Sequence, residues 1–279
     1  MHKKLNFLSI ILVLLFILIT IIILFPIYYL IIASLQSSEE MFRSGMKLFF
    51  DPKIMDFNNY RLLITHRDGI YFIWFKNSVI IATLFTISSL FFSSLVGYGL
   101  GVYDFKFKNI IFTLVLVVMM IPLEILMLPL YKLMVQLKII NTYAGVILPF
   151  MVSPLAIFFF RQYSSGISKD FLDAGRIDGC TEFGIYFKIM MPLMIPAFGA
   201  MSILLAMQNW NSFVWPLIVL RTNEMFTLPL GISSLISPYG HNFDVMLPAS
   251  VVAILPVVIL FLFNQRFFIA GLTAGGVKG

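Results

Sequence analysis

Apolar residues do not alternate with polar ones along this 279-residue chain; they run on without interruption. Stretches 5–33, 77–100, 107–131, 143–160, 192–220 and 245–265 are each apolar for about 20 residues, the length that crosses a hydrocarbon core of about 30 Å as helix. A soluble helix would show a polar face at the helical repeat, and these stretches show none. Only helices satisfy every backbone group within one lipid-exposed segment, unless a barrel closes on itself. The pattern therefore predicts an all-α integral membrane protein with six transmembrane helices. The fourth stretch, interrupted by Pro149 and Pro154, only just spans. The first follows Lys3 and Lys4, as a signal peptide would, but its apolar length is about twice a signal core and no small-residue cleavage site ends it. It is expected to be a retained span.

Beyond the long first loop, the apolar rhythm gives way most clearly to one helix-like insert. Between the fourth and fifth spans, Lys169, Asp170, Asp173, Arg176, Asp178, Glu182 and Lys188 crowd into one polar insert. Residues 171–177 have the length of a single small helix, with Asp173 near its start, where a negative charge suits the helix dipole. Ala174 and Gly175 leave its surface flat for close packing, and Gly179 permits a sharp turn into a second helix, with a positive φ. The insert reads as a helix, a turn and a helix lying under the membrane.

Composition agrees with a membrane class: 60% of residues are hydrophobic and 11% charged, against about 25% charged in soluble domains. The net charge of +6 belongs to lysines and arginines flanking the spans, and no stripe suited to nucleic acid is present. The single cysteine, Cys180, excludes an intramolecular disulfide and a cysteine metal cluster. With the N-terminus inside, Lys and Arg divide ten to nine between inside and outside segments, and six of the nine fall in the long first loop. Without that loop the division is ten to three, which favours cytoplasmic N- and C-termini and a cytoplasmic insert.

Movement of a solute needs energy. Ion-coupled carriers bury ionisable groups at mid-membrane, and Glu124 alone lies well inside a predicted span. The chain lacks GxxxxGK[ST] and so no P-loop binds ATP, and His2, His66 and His241 form no HExxH. No catalytic residue, metal site or cofactor is expected in the chain itself. The energy is expected from another subunit, delivered through a structured cytoplasmic loop. A second reading is an autonomous secondary carrier or channel for a small polar solute. An intramembrane enzyme lacks a visible nucleophile and base.

Asp173-Ala174-Gly175, Asp178-Gly179, Ile189 and Met191-Pro192 resemble the EAA motif of ABC importer permeases, written EAA, three residues, G, nine residues, I-x-L-P. Spacing matches throughout, while Asp173 stands for the glutamate, Gly175 for the second alanine and Met191 for the leucine. "QNWNSFVWPL" (208–217), the segment 121–149 and the end "QRFFIAGLTAGGVKG" (265–279) are similar to the sugar-importer branch, the smaller six-span permease of maltose-type systems. The resemblance implies a type I ABC importer permease fold: an N-terminal helix and first external loop at 1–70, a five-helix core at 71–268 with the EAA-like loop at 165–192, and a cytoplasmic tail at 269–279.

It also implies a role for that loop as the coupling helix, with Asp173, Ala174, Gly175, Asp178 and Gly179 docking on an ATPase. The implied partners are a second, related permease in a heterodimer, two ATPase subunits that bind ATP and Mg, and an extracytoplasmic solute-binding protein, assembled in a bacterial-type cell membrane. The implied cargo is a sugar or oligosaccharide.

Further candidates rest on residue type. Gln208, Asn209, Trp210 and Asn211 place amides and an indole in a span, where they either bond between helices or line a path for sugar hydroxyls and rings. Glu124, just after Pro122, either lines that path or pairs with a neighbouring helix. Trp74, Tyr131 and Trp215 are expected in the interfacial aromatic belt. The turn 237–244 exposes Tyr239, His241 and Asn242, which in related permeases can reach a docked binding protein.

Overall fold

The computed structural model describes residues 7–237 and 240–273, with Phe7, Ser237, Gly240, His241 and residues 266–273 described by their backbone. The helices, in order, are α1 (Phe7–Ser34), α2 (Ser38–Ser44), α3 (Asn58–Thr65), α4 (Ile70–Val102), α5 (Lys108–Met119), α6 (Leu123–Gln136), α7 (Tyr143–Ile147), α8 (Pro154–Ser165), α9 (Asp170–Ile177), α10 (Glu182–Ile185), α11 (Met191–Leu193), α12 (Ile195–Trp210), α13 (Val214–Val219), α14 (Leu228–Ser233) and α15 (Phe243–Thr273). A π turn, Tyr186–Met190, joins α10 to α11, and β1 (Ile236–Ser237) pairs antiparallel with β2 (Gly240–His241).

Among the described residues, three segments are each long and apolar enough to cross a membrane: Leu8–Ser34, Asn58–Val102 and Phe243–Gln265. Three bent pairs supply the remainder of six spans if each pair counts as one: Lys108–Met119 with Leu123–Gln136, bent by 101°, Tyr143–Phe150 with Pro154–Ser165, bent by 45°, and Glu182–Leu193 with Ile195–Trp210, bent by 77°. The expected third span, 107–131, is thus not one rod. Pro122 has no N–H to give a preceding turn and takes an extended conformation, so the chain leaves α5 and restarts as α6.

By packing, the chain sorts into two compact units, Met1–Phe72 with Gly231–Leu255, and Ile73–Leu230 with Pro256–Gly279. Segment 231–255, placed by sequence within the five-helix core, groups with the N-terminal part. In this first unit, α1 exposes apolar side chains around its whole circumference, as a lipid-facing helix does. The loop after it is knitted by two buried amides. Gln36 donates to Gly45 O (3.0 Å) and accepts from Lys47 N (3.3 Å), while Asn59 donates to Ser34 O (3.0 Å) and Gln36 O (2.9 Å). Asp244 accepts from Ser38 N (2.6 Å), and the Tyr71 hydroxyl donates to Ala249 O (3.0 Å), which ties 231–255 to this unit.

In the second unit, α4 serves the breaks in its neighbours. Asn77 donates to the carbonyls of Glu224 (2.8 Å) and Phe226 (2.9 Å), the Ser78 hydroxyl accepts from Leu228 N at the start of α14 (2.7 Å), and that of Ser93 accepts from Ser153 N just before α8 (3.0 Å). Backbone groups freed at membrane depth cost several kcal/mol unless paired, about 2–7 by transfer scales. Ser93 meets that need at the break before α8, and Asn77 and Ser78 meet it in the connection that leads into α14.

The aromatic-belt expectation fails at both tryptophans. Trp74 and Trp215 are almost fully buried, and their indole N–H groups donate to Asn223 O (2.8 Å) and Gly145 O (3.1 Å). Each indole finds its polar partner inside the protein, in a backbone carbonyl of a packed neighbouring segment. Tyr131 is half-buried and accepts from Arg221 Nη2 (2.7 Å).

Candidate functional site

The polar insert folds as a helix, a left-handed turn and a helix. Asp170 and Asp173 occupy the first turn of α9, and Ser168 and Asp170 bond each other there, through Asp170 N to Ser168 Oγ (3.2 Å) and Ser168 Oγ to Asp170 Oδ2 (2.8 Å). The helix stops in a Schellman turn: Cys180 N donates to Gly175 O (2.9 Å), and Gly179 N to Arg176 O (3.1 Å). Gly179 has φ 77°, the left-handed value that such a turn demands. Thr181 then caps α10 by accepting from Gly184 N (3.1 Å).

The two faces of α9 differ. Leu172 and Gly175 are buried, and a Cβ on Gly175 would lie 2.7 Å from Ile189 Cδ1 and 3.1 Å from Ile185 Cγ1. Gly175 therefore marks the close approach of α9 to the helix that follows. Asp173 and Ala174 are exposed, as are Phe171 (48%), Ile177 (86%) and Phe183 (73%), which leaves a mixed acidic and apolar surface facing outward.

Arg176 and Glu182 fasten the turn. Arg176 donates through Nε to Glu182 Oε1 (2.9 Å), through Nη2 to Glu182 Oε2 (3.3 Å) and through Nη1 to Asp173 Oδ1 (3.1 Å). Glu182 Oε2 also accepts from the hydroxyl of Tyr103, just past the end of α4. Burial first, then the bond to Glu182, pushes the Tyr103 hydroxyl pKa well up, so it stays a donor. Asp104 pairs with Lys108 (3.1 Å) and Lys169 (3.6 Å), and the Lys108 hydrogen bond, with the charges of both lysines, holds its carboxyl below the usual range. Deeper, Tyr98 and Tyr103 hydroxyls meet at 3.2 Å, and Ser94 bonds the Tyr186 hydroxyl at 2.6 Å. The second span and the insert are thus joined at several levels.

In the sequence, Arg176 and Glu182 stand out only as members of a charged crowd, and Tyr103 does not stand out at all. The one available signal is the polar cluster Tyr103, Asp104 and Lys108 directly after a long apolar run.

The pathway candidates lie in two places. Gln208 and Asn211 are exposed at the C-terminal end of α12, Asn209 is half-buried, and Trp210 is buried, edge-on to Phe75 with centroids 5.7 Å apart. Asn211 donates to Met207 O (2.9 Å), closing its own helix. Trp210 also borders a cavity of ≈ 260 Å³ with Thr83, Thr86, Ser202, Met207 and Pro256. Glu124 is exposed in the first turn of α6, at the break after Pro122. Of the loop candidates, Asn242 is exposed and its carbonyl receives Val245 N (3.2 Å) and Met246 N (2.9 Å) at the start of α15. His241 is placed by backbone alone, opposite Ile236, and Tyr239 lies outside the described residues. The tail expected at 269–279 is helical through Thr273, and 274–279 lie outside the described residues.

Comparison with known proteins places this architecture. Residues 89–273 match the family described as binding-protein-dependent transport system inner membrane component. The chain is 59% identical over 268 residues to the arabinooligosaccharides transport system permease protein AraQ of Bacillus subtilis (strain 168), covering 96% of this chain and 95% of the relative. It is 33% identical over 254 residues to the lactose transport system permease protein LacG of Rhizobium radiobacter, covering 91% and 90%. Its fold is similar to a chain in the crystal structure of a bacterial ABC transporter involved in the import of the acidic polysaccharide alginate, with TM-score 0.83, 21% identity and coverage of 96% and 99%. This chain, a helical protein of the membrane with an EAA-like loop after α8, belongs to the family of binding-protein-dependent transport system inner membrane components.

Proposed function

We propose that this permease forms half of the path by which an ATP-driven importer takes up a pentose oligosaccharide of the arabinose type. The observation that carries the cargo class is the 59% identity, across 96% of the chain, to a relative named for arabinooligosaccharides. In this reading the protein pairs with a second, related permease, receives cargo from an extracytoplasmic binding protein and is driven by two ATPase subunits that hold ATP and Mg. The 165–192 loop is the coupling element. The exposed Asp173, Ala174 and Asp178, with Phe171 and Ile177, face the ATPase, while Gly175 and Gly179 set the angle of α9 behind them. Glu124, Gln208, Asn209, Trp210 and Asn211 border the solute path, and Tyr239, His241 and Asn242 meet the binding protein.

The complex purified on an affinity tag carried by this chain, reconstituted in liposomes with its binding protein, is expected to take up arabinotriose only with internal ATP. Uptake by the chain alone without ATP would reinstate the autonomous carrier, and preference for maltotriose over arabinotriose would overturn the cargo class.

Orientation with both termini in the cytoplasm is tested separately. With Cys180 replaced by serine, a cysteine at Lys106, exposed in the turn between α4 and α5, is expected to resist an impermeant maleimide in intact cells and to react in inside-out vesicles. A cysteine at Ser237 is expected to do the reverse. Labelling of Lys106→Cys from outside would invert the topology.

A further inference from the structure

A second cavity, ≈ 490 Å³, opens where the turn after α4 leads into α5, bordered by Asp104, Phe107, Lys108, Asn109, Ile110 and Arg161. Arg161 is unusual there. Its guanidinium carbon stands 3.6 Å from the centroid of the Phe112 ring, and its Nε is closed off from solvent without a hydrogen-bond partner. Among the described residues no carboxylate lies within ion-pair distance of it. A guanidinium is always charged and has five donors, and with no carboxylate beside it the acceptor that suits it at this cavity is an anion.

The surroundings favour an anion. Asp104, which also faces the cavity, is already shared between Lys108 (3.1 Å) and Lys169 (3.6 Å), so three cations stand near one carboxylate. The cavity also meets the N-terminus of α5, a twelve-residue helix whose N-cap, Phe107, has φ 72° and gives no side-chain cap. First-turn N–H groups, including those of Asn109 and Ile110, lack intrahelical acceptors and carry the positive end of the helix dipole. From this same end, Ile110, Leu114, Val117 and Val118 form an exposed apolar stripe at helical spacing, running away from the polar cavity.

A polar, cationic pocket continuous with an apolar helix face matches a molecule with an anionic head and a hydrocarbon tail. We propose that the cavity binds the phosphate of an anionic phospholipid, held by Arg161, Lys108 and the first turn of α5, with an acyl chain along Ile110, Leu114, Val117 and Val118. Planar guanidinium suits bidentate contact with phosphate oxygens, and the stripe gives a reason for lipid over a free ion. The assignment stands apart from the identity of the transported sugar.

The test is native mass spectrometry of the tagged complex in mild detergent, titrated with phosphatidylglycerol and, in parallel, with phosphatidylcholine. Retained phosphatidylglycerol in excess of phosphatidylcholine is expected to fall about fivefold in Arg161→Gln and in Lys108→Gln, the effect of one basic residue at an anionic surface. Asp104→Asn, which frees two lysines, is expected to raise it. Should Arg161→Gln fail to assemble, the other two variants decide by their opposite directions. Equal retention in all variants overturns the proposal. Two further outcomes do so as well: millimolar inorganic phosphate raising the melting temperature of the wild type but not of Arg161→Gln while lipid retention stays unchanged, which assigns a free ion, and loss of a partner subunit instead of lipid, which assigns a protein carboxylate.

Discussion

Gly175→Leu is expected to leave the permease in the membrane and paired with its partner permease, yet to lower binding-protein-stimulated ATP hydrolysis by about 5- to 150-fold, the range of a 1–3 kcal/mol coupling loss. The reasoning is steric. Gly175 lies at the inner face of α9, where even a Cβ would stand 2.7 Å from Ile189 Cδ1 and 3.1 Å from Ile185 Cγ1. Ile189 Cδ1 is the mobile end of a side chain and can turn aside, so Gly175→Ala is expected to work nearly as the wild type. Three further carbons cannot be taken in that way, because Ile185 and the neighbouring Leu172 are fully buried. Overpacking of this kind costs about 1–3 kcal/mol, and α9 relieves it by tilting away from α10 and so from the position proposed to meet the ATPase. The graded pair also accounts for the motif, since glycine here stands where the resembling permeases carry alanine. Tight, stimulated hydrolysis in Gly175→Leu would show that the contact between α9 and α10 does not set the coupling geometry.

Gly179→Val is expected to reduce the amount of ATPase that co-purifies and the hydrolysis that binding protein stimulates, for a different physical reason. Space is not limiting, because a Cβ on Gly179 would meet nothing within 4 Å. The backbone is limiting: φ is 77°, and an L-residue held there costs about 1–2 kcal/mol, a β-branched one most of all. The two bonds of the Schellman turn, Cys180 N to Gly175 O and Gly179 N to Arg176 O, break if φ relaxes, and α10 then leaves α9 at another angle. Gly179→Asn, which visits the left-handed region more readily, is expected to recover most of the loss. Asp173→Ala is expected to do less than Gly179→Val, since an exposed carboxylate in a first helical turn contributes only about 0.3–1 kcal/mol. A co-purification ratio and stimulated rate in Gly179→Val equal to those of the wild type would leave this turn as a plain connection.

Much of the site is legible in the amino-acid sequence because its determinants are local. The turn after Ile177 follows from a glycine just past a short helix, the first-turn acids of α9 from the dipole rule, and both are recorded within ten residues of chain. The inward face of Gly175 is legible only as flatness. Its partner, Ile189, is fourteen positions away and lies beyond the turn whose angle decides the contact. Tyr103 is not legible at all, since its bond to Glu182 crosses 79 residues and nothing in the local pattern of either marks the other. Trp74 and Trp215 are misplaced by the same limitation. Composition near span ends suggests a membrane interface, while the carbonyls of Asn223 and Gly145 that receive their indoles are 149 and 70 residues distant.

The sequence by itself determined that the chain is a helical membrane protein, which loop is polar and in what register its helix, turn and helix fall. Run length, charge and glycine placement act over one or two helical turns, so their consequences follow from order alone. Tertiary structure decided where the spans break. Pro122, Pro149, Pro154 and Pro192 mark possible breaks, but a break at membrane depth persists only where another element pairs the freed backbone. For the break before α8 that element is α4, through Ser93, and Asn77 and Ser78 of the same helix pair the backbone of the connection that leads into α14. Such pairings join residues 60 to 150 positions apart, and no period or composition along the chain encodes them, because the requirement is to satisfy a donor or acceptor in space and not to repeat a residue in sequence.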